Sequence, residues 1–476
     1  MTGAAGAVLL GLLLWVYVGM LDRHGYWYDE VMTVLTARSP FVEMVNERLR
    51  EGHPPLFFAE TWLWTRIVGE REALVRLPTL LAALGSAALL HRIVRRLAGP
   101  GTARLALLLL LVAPFQLRMA HVARPYALVQ VLALGLTALI LRAEERPARR
   151  DPLLAGLLGF GLLATHYSAL LLLAGALGYL LVARRGRLAA GLALGAALAA
   201  PFAVVTARLR SVTGAIDWLG EPRPGALAKV LAEQVADVQW LVGHPWLGAV
   251  LAVPLLAAAG VGALMLGRRG RVVVFGWLGP LAAGLVALAL GAPNIFGVSR
   301  YWVAPLAHQT ALLAVALAAL AQRRPRLGLL AAALVAGTAL FGSAALVERD
   351  HAPDWRGLVH ALEARRRPGE PVVVDLEPQQ KLLWRYYATT LCYDLAQIEA
   401  GPRERRWARP PTPDDDAQEH APRLTAGTDS LLVFFGPPPE GRAADWLAEL
   451  ERRYPRRSEL EMPAGTLLRL SRGPID

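Results

Sequence analysis

Stretches of roughly 15 to 20 apolar residues, rich in Ala, Leu, Gly and Val, follow one another from near the start of this chain to about residue 346, with short arginine clusters between them. A helix needs about 20 mostly apolar residues to cross the hydrocarbon core of a bilayer. In lipid, Ala and Gly are packing residues rather than helix breakers. With 55% of its residues hydrophobic, the chain carries more apolar surface than a water-soluble fold of this size can hide. The apolar segments run roughly over 4–21, 73–91, 102–116, 126–142, 152–165, 168–183, 188–206, 246–266, 272–291, 301–321 and 327–346, which predicts about eleven transmembrane helices. The first segment reads as a retained helix rather than a cleaved leader, because no basic stretch precedes it and no small-x-small site follows it.

The formal charge is +12 with His neutral. In a soluble protein that excess would suggest a nucleic-acid partner. Here the arginines sit in short loops, so the charge is a topology signal and no nucleic acid is expected. Arg92, Arg95, Arg96 and Arg104 lie in one loop, and Arg142, Arg146, Arg149 and Arg150 in the next on the same side. Arg184, Arg185 and Arg187 follow, then Arg268, Arg269 and Arg271, then Arg323, Arg324 and Arg326. The positive-inside rule makes these loops cytoplasmic. The N-terminus is then cytoplasmic and the C-terminus external, as in a multi-pass protein of a cell's inner or plasma membrane. The single cysteine, Cys392, excludes an intramolecular disulfide and any CxxC site, so a metal would have to be held by oxygen and imidazole.

The opposite face differs in kind. A long loop over 22–73 contains two amphipathic stretches, one through Phe41, Met44, Val45 and Leu49 and one over 56–68, both read as helices on the membrane surface. A second long loop, about 206–244, holds another surface helix around 227–242. Residues 1–347 form the membrane domain. From 348 to 476 the composition becomes that of a soluble α/β domain, with helices over 355–366, 380–391 and 444–454, strands over 371–376, 430–436 and 465–472, and a loop over 401–422.

The conspicuous polar residues of the membrane part gather at the outer ends of the spans. A charge at the bilayer centre costs roughly 2.5 to 3.5 kcal/mol, and these positions avoid that cost while remaining near lipid head groups. Asp29 and Glu30 follow Tyr26-Trp27-Tyr28, so they read either as solvated loop acids or as partly desolvated carboxylates suited to general-base work. His53 is held extended by Pro54-Pro55. His166-Tyr167 reads either as a polar cap between two short helices or as part of a site. Arg124 and Arg300, with Tyr301 beside the latter, read either as interfacial anchors or as a forked grip on a phosphate.

These motifs, YDE at 28–30, HPPLFF at 53–58, RLP at 76–78, ARPYAL at 123–128, THYSALLLL at 165–173 and SRYWVAP at 299–305, resemble in order and position those of bacterial GT-C glycosyltransferases. The group resembled is that of the protein mannosyltransferases and aminoarabinose transferases. The resemblance spans residues 1 to about 347. It implies a polytopic helical GT-C fold, a polyprenyl-phosphate-linked sugar donor and catalysis at the external face. It implies Asp29 as the base, with Glu30 supporting it, Arg124, Arg300 and Tyr301 on the donor phosphate, and His53, His166 and Tyr167 positioning acceptor or sugar. It fixes no cofactor; a divalent cation, with Glu30 and His53 as candidate ligands, is compatible with it. One departure stands out: relatives commonly have an acid two positions before the arginine of the ARPYAL-like segment, where this chain has Val122 preceded by His121. The expected activity is inverting transfer of a hexosyl or pentosyl group to an external lipid, polysaccharide or protein acceptor, amid membrane lipids. The rival classes are a transporter or flippase of lipid-linked glycans, which would place ionisable residues near midplane, and a non-catalytic envelope assembly protein.

Overall fold

In the computed structural model, the described residues are 3–213, 219, 225–292, 294–349, 354–367, 370–376, 378–387, 392–394, 429–435, 442–462 and 465–473. The chain forms two compact units. One comprises Met1–Asp22 and Thr33–His351, the other Arg23–Met32 and Ala352–Asp476.

The first unit is helical. It opens with α1 (Gly3–Gly19) and takes up α2 (Tyr28–Arg38) from Thr33 onward. Then follow α3 (Phe41–Arg50), α4 (Leu56–Val68), α5 (Glu72–Leu111), α6 (Pro114–Ala120), α7 (Tyr126–Glu145), α8 (Asp151–Thr165), α9 (Ala169–Val182) and α10 (Gly186–Thr213). The short α11 (Ala226–Ala232) and α12 (Val238–Gly243) precede α13 (Pro245–Leu266), α14 (Arg271–Ala289), α15 (Val303–Arg323) and α16 (Pro325–Arg349). Among the described residues, six helical runs are long and apolar enough to cross a membrane: Glu72–Leu111, Tyr126–Glu145, Gly186–Leu209, Pro245–Ala289, Ser299–Arg323 and Pro325–Glu348. Two of these are broken. The 40-residue α5 turns at Gly99, whose φ of 84° only glycine adopts without strain and which Pro100 follows. The other, Pro245–Ala289, breaks at the 3₁₀ turn Gly267–Gly270, where two of the loop arginines sit. Leu10–Gly19, α8 and α9 are apolar but shorter.

Large apolar side chains such as Trp15, Val253, Leu264 and Leu334 lie exposed on these helices. In water such a surface would be an aggregation site; around a membrane span it is where lipid tails pack. Inside, uncharged polar pairs join the helices. Gln130 donates to Gln116 at 2.9 Å and to the Val303 carbonyl at 3.2 Å, Trp277 donates to Gln309, and Ser343 donates to the Val112 carbonyl. Helices α8 and α10 meet backbone to backbone: a Cβ on Gly195 would strike the Gly156 carbonyl, and one on Gly191 the Pro152 carbonyl. Small residues four apart on α10 thus bring the two helices into contact, the means by which helices associate where no hydrophobic effect separates them from lipid.

Several expectations change, two of them in the long loops. The stretch expected as one surface helix around 227–242 is α11 and α12, separated by a buried polar turn with Glu233, Gln234 and Asp237. The loop over 22–73 holds α2 in addition to the two expected surface helices, and its Arg23–Met32 segment belongs to the second unit.

That second unit contains α17 (Trp355–Arg365), β1 (Val372–Asp375), α18 (Pro378–Tyr387), β2 (Cys392–Asp394), β3 (Ser430–Phe435), α19 (Arg442–Arg453), β4 (Arg456–Met462) and β5 (Gly465–Ser471). The sheet order is β2-β1-β3-β5-β4, with β1 parallel to both β2 and β3, and β5 antiparallel to β3 and β4. β3 is central and buried along Leu431–Phe435, as a continuous apolar run implies. Val373, Val433, Leu450, Tyr454 and Leu468 share one core. The loop expected over 401–422 lies outside the described residues.

The α8–α10 contact predicts that Gly195→Leu, which forces the backbones apart, destabilises the protein by about 1 to 3 kcal/mol or more. Gly178→Leu, at a glycine with nothing within 4 Å, serves as the control. Melting temperature in detergent should fall for the first variant and not for the second.

Candidate active site

The site in the helical unit begins with the end of α3. Its amphipathic repeat leaves Phe41 and Val42 exposed and buries Met44, Arg48 and Leu49. Gly52, at φ 85°, closes the helix in a left-handed cap: its N–H donates to the Leu49 carbonyl and the next N–H, that of His53, to the Arg48 carbonyl at 2.9 Å. The Schellman turn therefore seats His53 directly after Arg48, and Pro54-Pro55 fixes the exit into α4.

Arg48 is fully buried, pairs with Glu47 at 3.2 Å and Glu51 at 3.0 Å, and lies 5.2 Å from the centre of the Phe58 ring. Arg124, 3% exposed, lies 5.6 Å from the same ring. One of its Nη groups donates to Thr33 Oγ1 of α2 at 3.2 Å and the other to His53 Nε2 at 3.3 Å. Arginine has no acceptor, so His53 Nε2 presents its lone pair and the ring proton sits on Nδ1. Burial pushes the His53 pKa well below the ordinary imidazole value, and Arg124, His166, Arg48 and Arg300 push it in the same direction.

A second half of the cluster comes from the ends of α7, α8 and α15. His166 ends α8 and packs on Tyr126, at 5.6 Å between ring centres, and on Tyr301, at 4.9 Å. Arg300 lies 5.8 Å from the Tyr126 ring centre. His166 Nδ1 accepts the Ser168 N–H at 3.1 Å, which leaves the proton on Nε2. Burial, followed by Arg124 and Arg300, lowers the His166 pKa to about 3. At neutral pH both imidazoles are uncharged, each with one N–H to give.

The structure thus brings together His53, Arg124, His166, Arg300 and Tyr301. Tyr167 has a different partner, its hydroxyl lying 2.7 Å from Thr206 Oγ1. Asp29 and Glu30 belong to the second unit and occupy the first turn of α2. Asp29 is half-buried. Glu30 is buried, and its Oε2 accepts the Trp27 N–H at 3.3 Å, the N3 acid of a helix start reaching back to the N-cap backbone. Among the described residues no group of three or more His, Cys, Asp or Glu side chains could hold a metal ion.

Sequence reasoning missed Arg48, which reads as the polar face of a surface helix; its i+4 spacing from the apolar Met44 is the signal. It also missed the buried carboxylate Glu233, whose pKa burial raises to about 7. Ser299 donates to Glu233 at 2.5 Å, and Arg118 and Lys229 act on it electrostatically. His121 ties helices: Nδ1 lies 2.6 Å from the Leu117 carbonyl and Nε2 2.6 Å from that of Tyr17.

A family model described as dolichyl-phosphate-mannose-protein mannosyltransferase matches residues 52–208, the stretch that carries His53, Arg124, His166 and Tyr167. The fold is similar to that of ArnT from Cupriavidus metallidurans. Its apo structure superposes with a TM-score of 0.61 at 14% identity over 98% of each chain, and its complex with undecaprenyl phosphate with 0.57 at 15% identity over 100% of each. The chain has an ArnT-like fold. A further similarity is to the apo oligosaccharyltransferase of Archaeoglobus fulgidus, with a TM-score of 0.50 at 12% identity over 84% of this chain and 65% of that one. No curated protein matches by sequence.

The depressed pKa of His166 gives a signed pH dependence. As pH falls from about 6.5, the unfolded chain takes up a proton at this ring that the folded protein refuses until about pH 3. Stability contributed at neutral pH is therefore lost across that window, by up to about 1.4 kcal/mol per pH unit. His166→Gln should lose less melting temperature than the wild type between pH 7 and pH 5, and equal losses would show that this ring is not held neutral.

Proposed function

We propose that the protein is a membrane glycosyltransferase that moves a sugar from a polyprenyl-phosphate-linked donor to an acceptor on the external face, with inversion at the sugar. The observation that carries this reading is the convergence of Arg124 and Arg300 on the buried His53 and His166, with Arg48 beside His53. Guanidinium forks match phosphate geometry, and a partly desolvated cluster binds an anion more tightly than the same charges in water. The similar ArnT fold is known with undecaprenyl phosphate bound, which supports the same donor chemistry here. The arginine-rich loops support placing this cluster on the non-cytoplasmic side.

In the proposed reaction Asp29 takes the proton of the acceptor hydroxyl while that oxygen forms the new bond to the sugar's anomeric carbon. The bond from that carbon to the phosphate oxygen breaks, and its electron pair leaves with the polyprenyl phosphate. Arg124 and Arg300, with Tyr301 alongside, stabilise the charge that develops on the leaving phosphate, so this group needs no proton. A single carboxylate base then suffices. Neutral His53 and His166 can each donate one hydrogen bond to sugar or acceptor oxygens without adding charge. Glu30 supports Asp29 by fixing the start of α2. Tyr167 takes no part in the donor grip, and no step requires a metal.

The test uses the lipid-linked sugar that accumulates in cells lacking the protein, extracted and supplied to purified enzyme, with its consumption followed by mass spectrometry. Asp29→Asn keeps size and removes basicity, so turnover should fall by about 10² to 10⁴-fold with the protein still folded and still binding the lipid. Wild-type turnover in that variant would exclude Asp29 as the base.

A further inference from the structure

The second unit consists of the C-terminal α/β fold together with a ten-residue piece from far upstream, Arg23–Met32, which carries Asp29. Several independent contacts hold this piece. The Gly25 N–H donates to Asp354 Oδ1 at 3.1 Å, and the Tyr26 N–H donates to the Tyr387 hydroxyl oxygen. Tyr26 is 1% exposed, and its ring meets the edge of Tyr386 at 5.7 Å and 72°. Gly25 comes so close to α17 that a Cβ there would lie 2.9 Å from Arg356 Cβ and 2.9 Å from the Tyr387 hydroxyl.

Asp354 shows that this docking is built in. It stands at the N-cap of α17, where an aspartate ordinarily accepts an N–H of its own first turn. Its side chain makes no such cap bond, and its carboxylate instead receives Gly25, 329 residues upstream. The link from the docked residues to the acid is short and stiff. Tyr26 is three residues before Asp29; α2 starts at Tyr28, and Glu30 closes back on the Trp27 N–H. Fixing Gly25 and Tyr26 therefore fixes the first turn that presents Asp29.

We propose that the C-terminal unit is a catalytic clamp: Asp354, Tyr386 and Tyr387 are positioning residues that dock Gly25-Tyr26 and so set where the Asp29 carboxylate stands. This rests on the reading of Asp29 as base and gives the C-terminal unit a role in the reaction rather than in assembly. Displacing a catalytic group by about 1 Å can cost ~10²-fold in rate. Loss of the clamp should therefore lower kcat far more than it changes the KM for the lipid donor, which the helical unit binds.

The experiment pairs turnover of the accumulated lipid-linked sugar with hydrogen–deuterium exchange over residues 24–30 in the full-length protein. Gly25→Val, which overfills the contact with Arg356 and Tyr387, and Asp354→Ala, which removes the acceptor, should both speed exchange over 24–30. Both should lower kcat about ten- to a hundredfold, with the KM for that lipid changed less than about threefold. Asp354→Asn keeps an Oδ1 acceptor and should restore most of both. Unchanged exchange in both disruptive variants would overturn the clamp, and so would faster exchange with wild-type kcat. Asp29→Asn, assayed in parallel, separates the two ideas: if it turns over normally the base assignment fails, a result that reads independently of the exchange data.

Discussion

Much of the helical unit's buried polar structure depends on keeping three guanidiniums, those of Arg48, Arg124 and Arg300, close to the histidines His53 and His166. Arginine cannot shed its proton to escape burial, so the surroundings adjust. Glu47 and Glu51 pair with Arg48, the Phe58 and Tyr126 rings lie beside the guanidiniums, and both histidines stay neutral. Guanidiniums held together in this way suit an anion. The local folds that build it are simple: a Schellman turn at Gly52, two prolines after His53, and helix ends that stop at His166 and begin at Tyr126 and Val303.

The bilayer explains why so much of this was legible from sequence. Each apolar run had to become a helix, because an irregular backbone in lipid leaves polar groups unsatisfied. Ionisable residues had to collect at helix ends, because charge is expensive at midplane. The places of His53, Arg124, His166 and Arg300 between apolar runs therefore anticipate that they meet in one cluster. The same logic fails for Arg48, which looks like the wet face of a surface helix until α3 is folded. It fails too for the turn of Glu233 to Asp237, where a helical pattern across 227–242 conceals a break filled with buried acids. In the C-terminal unit, β4 went unrecognised because its RRSELEM sequence is charged, as suits an edge strand that must not pair with another chain.

Glu30 and the Arg23–Met32 segment illustrate a second limit. Adjacent acids after an aromatic triplet suggest a shared catalytic or metal role, whereas the helix start divides them: Glu30 closes the first turn and Asp29 is left half-exposed. That this segment docks on residues some 330 positions later is a tertiary fact with no local signature beyond an Asp at a helix start that does not cap its own helix.

The central claim is that the arginine cluster recognises a lipid phosphate by geometry rather than by charge alone. Its most direct test is the affinity of purified protein for undecaprenyl phosphate, without sugar or acceptor, measured for the wild type and for Arg124→Lys and Arg300→Lys. Lysine keeps the charge and loses the fork. The account predicts that each variant binds at least about tenfold more weakly, equivalent to about 1.4 kcal/mol; wild-type affinity in both would contradict it.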